Sequence, residues 1–136
     1  MITPFLSPVL ALIVWTLLIW ALLYIRRIPA MQATKMDPED AKFPGTYSDR
    51  LPDKARAAAD NYNHLMEQPT IFYALMFFIA LSDKQTVTLL YLAWAYVLLR
   101  VLHSFVQVSV GKVMIRFSLF FLSTLVLIAM TVFAIL

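Results

Sequence analysis

The sequence predicts an all-α integral membrane protein, a four-transmembrane-helix antiparallel bundle. Three observations predict it. Of the 136 residues, 62% are hydrophobic and 14% are charged, whereas a soluble domain is nearer half apolar and a quarter charged. Mean hydropathy is +0.79. The apolar runs are long and continuous, not alternating; in lipid only helices or a closed barrel satisfy the backbone, and continuous runs select helices.

We read one domain over 1–136, with helices at about 3–27, 51–81, 85–110 and 112–135 and a loop at 28–50. Met1 to Ile25 carries no charge and is long enough to span a bilayer. It has no basic segment before it and no small-residue cleavage site after it, which reads as an anchor and not a removed signal peptide. Pro4 and Pro8 fall in the first turns, where proline is tolerated, and Arg26 and Arg27 end the span. The following segment holds Pro29, Pro38, Pro44 and Gly45, which read as loop punctuation. Pro52 suits a helix N-terminus, with Ser48 or Asp49 as its cap. The second helix is polar in its first half and apolar after Pro69, where a kink is expected. Ser82-Asp83-Lys84 and Gly111-Lys112 are tight turns, which make the helices they join antiparallel neighbours.

Ten of the eleven Lys and Arg residues lie at one end of this plan, and only Lys84 lies at the other. The positive-inside rule then places both termini outside and the long loop in the cytoplasm, as in a bacterial inner membrane. The absence of cysteine excludes disulfide scaffolds, thiolate metal sites and protein-thiol redox chemistry. With two glycines there is no phosphate-cradling loop, and a net charge of +3 gives no reason to expect nucleic acid as a partner.

The informative residues are the polar ones at membrane depth. Arg100, His103 and Gln107 are offset by three and seven positions and share a helical face. His64 and Glu67 lie in the preceding span. Ionisable groups at such depth are expensive and usually face a bundle interior or a cavity. Counted from the outer helix ends, Glu67 and His64 are 14 and 17 residues in, Arg100 and His103 are 15 and 18, and Arg116 is 20. At about 1.5 Å per residue, all five fall within about 9 Å of depth. This supports one polar site opening toward the cytoplasm.

Several readings of that site stay open. Glu67 opposite Arg100 fits a buried pair that sets helix register. Arg116 fits headgroup snorkelling as well as ligand binding. Two histidines at similar depth could ligate a haem, and His64-x-x-Glu67 resembles half of a di-iron helix motif. Phe72, Tyr73, Phe77 and Phe78 could line an apolar groove, or simply meet lipid.

Four features together resemble the MAPEG family, the membrane-associated proteins of eicosanoid and glutathione metabolism. These are DPEDA at Asp37 to Ala41, NHLMEQP at Asn63 to Pro69, the Arg100-x-x-His103 spacing, and Arg116 sixteen residues after Arg100. The resemblance spans nearly the whole chain. It implies a homotrimer with glutathione as co-substrate, bound between subunits near the cytoplasmic face, beside a lipophilic small molecule and membrane lipids. It implies Arg116 as the catalytic stabiliser of the glutathione thiolate. Arg26, Arg27, Asp40, Asn63, His64, Glu67, Arg100, His103 and Gln107 are implied as glutathione-binding positions, and no metal is implied. A cation beside sulfur raises the thiolate fraction, and arginine forks suit carboxylates.

The chain also departs from its better-known relatives. Where prostaglandin synthase relatives read Arg-x-x-Arg-Asn-x-x-Glu, this sequence has Asp60-x-x-Asn63-His64-x-x-Glu67. Gln107 stands where they carry tyrosine, and the FERV-type motif of the leukotriene synthase branch is missing. The sequence looks closer to bacterial members with Asn-x-x-Asn or Asn-x-x-His before Glu-x-Pro. Two functions follow: a membrane glutathione-dependent transferase or peroxidase acting on lipophilic electrophiles or lipid hydroperoxides, and a non-enzymatic lipid- or ligand-binding trimer on the same scaffold.

Overall fold

A computed structural model describes residues 2–33, 52–109 and 111–136. The expectations on Asp37 to Ala41, including Asp40, and on Ser48 and Asp49 lie outside the described residues. Within them the chain is all helical: α1 (Ile2–Ala33), α2 (Asp53–Leu65), α3 (Pro69–Leu81), α4 (Val87–Val108) and α5 (Val113–Ile135). α2 and α3 together make one span, so four segments among the described residues are long and apolar enough to cross a membrane. The protein is a multi-pass integral membrane protein built as a four-helix bundle.

Helix α1 does not end at Arg27 as its sequence suggested. It continues to Ala33 with Pro29 inside it. A proline inside a helix removes one backbone bond and clashes with the preceding turn. Here tertiary packing offsets that cost. Ala30 and Met31 pack on Ala55 of α2, and Arg26 Nη1 donates to the carbonyls of Val108 (2.7 Å) and Lys54 (3.1 Å). One guanidinium thereby ties α1 to the C-terminal turn of α4 and the first turn of α2.

At Pro69 the second span breaks outright instead of kinking. Proline has no N–H for the carbonyl of Leu65, and the chain tightens into three-residue steps: Met66 N to Asn63 O (3.1 Å), Glu67 N to His64 O (3.2 Å), then Thr70 N to Glu67 O (3.3 Å). Pro69 restarts the helix at the first position of α3, where its missing N–H costs nothing.

The turns are short and chemically specified. Asp83 adopts a positive φ of 55°, a conformation that Asp tolerates better than most residues. The Lys84 ammonium donates to the carbonyl of Ala134 (2.9 Å) and so caps the last turn of α5. Thr86 caps α4 by accepting from the N–H of Leu89 at 3.1 Å. Gly111 passes tightly under α4: a Cβ there would lie 2.8 Å from the Val106 side chain and 3.0 Å from its carbonyl oxygen.

The apolar core joins Phe5, Leu12 and Ile19 of α1, Phe72, Met76 and Ile79 of α3, Leu89 and Ala93 of α4, and Leu127 and Met130 of α5. α4 packs chiefly on α5 and α1 on α2, while α3 leans on α1 and α5. Large apolar side chains such as Leu17, Ile71, Phe78, Leu98 and Phe117 stay exposed on the outside. This inverts a soluble protein's surface and suits lipid.

Candidate polar site between α2, α4 and α5

The face of α4 singled out by spacing does turn inward: Arg100, His103, Ser104 and Gln107 are all buried. Facing it is a matching set on the second span, Asn61, His64 and Gln68, with the same offsets of three and seven. Because the two spans run in opposite directions, the two sets meet as rungs. Asn61 Nδ2 donates to Gln107 Oε1 at 2.8 Å. Arg100 Nη2 lies 2.7 Å from His64 Nδ1 and 3.3 Å from the His64 carbonyl oxygen. The Tyr96 hydroxyl donates to Gln68 Oε1 at 3.1 Å, and Gln68 Nε2 donates to Thr124 of α5 at 2.9 Å. The ladder crosses the break at residues 66–68 and fixes it from both sides.

The middle rung carries the charge. Arginine can only donate, so His64 Nδ1 must accept, which places the His64 proton on Nε2. The His64 ring stacks on His103, with centroids 4.8 Å apart and planes at 30°. Phe120 of α5 closes the third side, edge-on to His64 at 5.1 Å. The Arg100 guanidinium carbon lies 5.7 Å from the centre of the Phe120 ring, a cation–π distance. Arg100 is fully buried.

This arrangement corrects one expectation. Arg100 does not pair with Glu67. Its partner is His64, while Glu67 is exposed and makes no ion pair with it among the described residues. In an unbroken helix an offset of three would put residues 64 and 67 on one face, but the break at 66–68 turns Glu67 outward. The haem reading also fails on geometry. Two axial imidazoles must point their nitrogens at a metal from opposite sides of a macrocycle, whereas these rings lie face to face, and His64 Nδ1 is held by Arg100. Among the described residues, no group of three His, Cys, Asp or Glu could hold a metal ion.

The other expected residues are placed as follows. Arg116 is half-buried on the first turn of α5, within electrostatic reach of both imidazoles. Asn63 is exposed, on the same outward face as Glu67. Arg26 sits beyond the Gln107 rung, with Nη1 committed to backbone carbonyls. Arg27 is half-buried beside it. Phe72 is buried, stacked on Tyr96 at 4.5 Å, while Phe77 and Phe78 face outward.

The sequence reading missed Asn61, Gln68, Tyr96, Ser104, Phe120 and Thr124. A signal existed for two of them: Asn61 and Gln68 complete, with His64, the same three-and-seven pattern that marked α4.

Comparison with known proteins gives one answer. No curated protein and no solved structure matches the chain. The model of the MAPEG family matches residues 5–136, nearly the whole sequence, and the chain belongs to that family.

Proposed function

We propose that the protein is a membrane-bound, glutathione-dependent transferase or peroxidase acting on lipophilic electrophiles or lipid hydroperoxides. Family membership supports glutathione-related chemistry of this general kind. The observation that carries the reading to this chain is the concentration of cationic and donor groups at one end of the bundle: Arg116 beside the stacked His64 and His103, with Arg100 behind them.

In this reading glutathione is the co-substrate, and its thiolate is stabilised by Arg116. In conjugation the sulfur forms a bond to an electrophilic carbon, and the electron pair leaves on the displaced group or a neighbouring atom. In peroxide reduction the thiolate attacks the terminal peroxide oxygen, the O–O bond breaks, the alkoxide leaves and takes a proton to become an alcohol, and a second glutathione displaces water from the resulting sulfenic acid to give the disulfide. His64 has Nε2–H available as a donor, because Nδ1 is committed to Arg100. The exposed Asn63 and Glu67 lie on the outer surface of a protomer. A carboxylate at membrane depth needs a partner, and a homotrimer with glutathione between neighbouring copies supplies one. The functional assembly is thus a homotrimer in lipid, with both termini outside and the positively charged end in the cytoplasm of a bacterial inner membrane. Because the chain has no cysteine, single introduced cysteines and a membrane-impermeant thiol reagent test that topology directly.

Arg116→Ala is expected to abolish glutathione turnover while the assembly survives detergent chromatography. Unchanged turnover would remove Arg116 from the chemistry. A second reading, a non-enzymatic lipid- or ligand-binding trimer, is favoured by Gln107. Prostaglandin synthase relatives carry tyrosine at that position, and here the amide oxygen is committed to Asn61.

A further inference from the structure

Arg100 presents an imbalance within the protomer itself. A guanidinium stays charged at any accessible pH. This one is fully buried, and only Nη2 has a protein partner; Nε and Nη1 have none. The groups in direct contact with it carry no counter-charge. His64 accepts from it through Nδ1 and is therefore neutral, the second contact is a backbone carbonyl, and the third is the Phe120 ring. Glu67 is within electrostatic reach, but it is exposed and makes no ion pair with Arg100 among the described residues, and Arg116 adds a second positive charge nearby. A buried charge without a counter-charge is strongly unfavourable.

The unpartnered atoms around Arg100 share one character. One helical turn along the same face of α4, at offsets of three and four, His103 Nδ1 and Ser104 Oγ are also buried and without a partner. An imidazole N–H, a hydroxyl and two guanidinium nitrogens can all donate. The remaining orphan acceptor of the ladder, Asn61 Oδ1, belongs to the Gln107 rung. Buried, unpartnered donors within one helical turn of a buried cation call for an acceptor that carries negative charge. Burial on every side excludes a bulky one.

We propose that each protomer holds a small, weakly hydrated inorganic anion, of the bromide, nitrate or chloride kind, against Arg100, His103 and Ser104. The anion neutralises the guanidinium and holds the His64–Arg100 rung, and with it the stacked imidazoles, in place. It requires neither a thiol nor turnover.

The test uses the full chain in detergent, prepared in sodium gluconate without thiol and titrated with sodium bromide at constant ionic strength. A saturable rise in Tm is expected, larger for bromide and nitrate than for strongly hydrated fluoride. Ser104→Ala is expected to weaken the apparent bromide affinity about tenfold, the loss of one hydrogen bond to a charged group, and Arg100→Met is expected to abolish the response. If Arg100→Met does not fold, Ser104→Ala alone decides. Three results would overturn the proposal. Equal Tm in bromide and gluconate would mean that water alone meets these donors. An unaltered bromide response in Ser104→Ala would place the anion elsewhere. If millimolar glutathione in gluconate reproduces the bromide shift and cancels any further response, the anion is a glutathione carboxylate. A bromide response in a protein that ignores glutathione leaves this inference standing and removes only the proposed function.

Discussion

Along the second span the two halves are held to the bundle by different means. Below the break, α2 meets α4 through polar rungs, Asn61–Gln107 and His64–Arg100. Above it, α3 is held by apolar packing: Phe72 stacks on Tyr96, and Met76 and Ile79 fill the common core with Leu12 and Met130. Apolar packing in lipid needs only shape, and many side chains supply it. A buried polar rung needs a specific partner for each donor, and at Arg100 even that is incomplete. A bundle needing only stability has no reason to place an uncompensated guanidinium in its core. The polar half is therefore where function is to be sought, and the apolar half is the frame that positions it.

The contrast can be broken at several points, in falling order of effect. Phe72→Ala removes a fully buried ring from the apolar half and is expected to cost about 3–5 kcal/mol in detergent unfolding; a cost below about 1 kcal/mol would mean that the frame is loosely packed. In the polar half, Gln107→Leu strands Asn61 and is expected to cost about 1–3 kcal/mol. The Asn61→Leu, Gln107→Leu double variant should cost less than the sum of its parts, by about 0.6–1.7 kcal/mol in a double-mutant cycle; strict additivity would deny the rung. Gln68→Leu removes bonds to Tyr96 and Thr124 and is expected to loosen the break, read as faster hydrogen exchange at residues 66–71 with the amides of α4 unchanged. Lys84→Met loses only a helix-end cap and is expected to cost under about 1 kcal/mol.

Much of this plan was legible in the sequence because it rests on length and period. Three stretches with few or no charges and one that turns from polar to apolar marked four spans, and the three-and-seven offsets of Arg100, His103 and Gln107 marked an inward face. What depth arithmetic could not give was azimuth. It placed Glu67 level with Arg100, but the break at Met66–Gln68 turns Glu67 outward and leaves His64 as the partner. The extension of α1 through Pro29 was hidden for another reason: local propensity opposes it, and only contacts with Ala55, Val108 and Lys54 offset that cost. Phe120 was illegible because an aromatic on an apolar helix looks the same whether it meets lipid or an imidazole.

In the proposed function the polar half serves a thiol co-substrate. The most direct test is glutathione titration of the detergent-solubilised protein, followed by Tm and by thiolate absorbance. Saturable stabilisation in the millimolar range is expected, with a thiolate signal that is lost in Arg116→Ala. Neither stabilisation nor thiolate absorbance at millimolar glutathione would contradict that function and leave the ligand-binding scaffold as the better description.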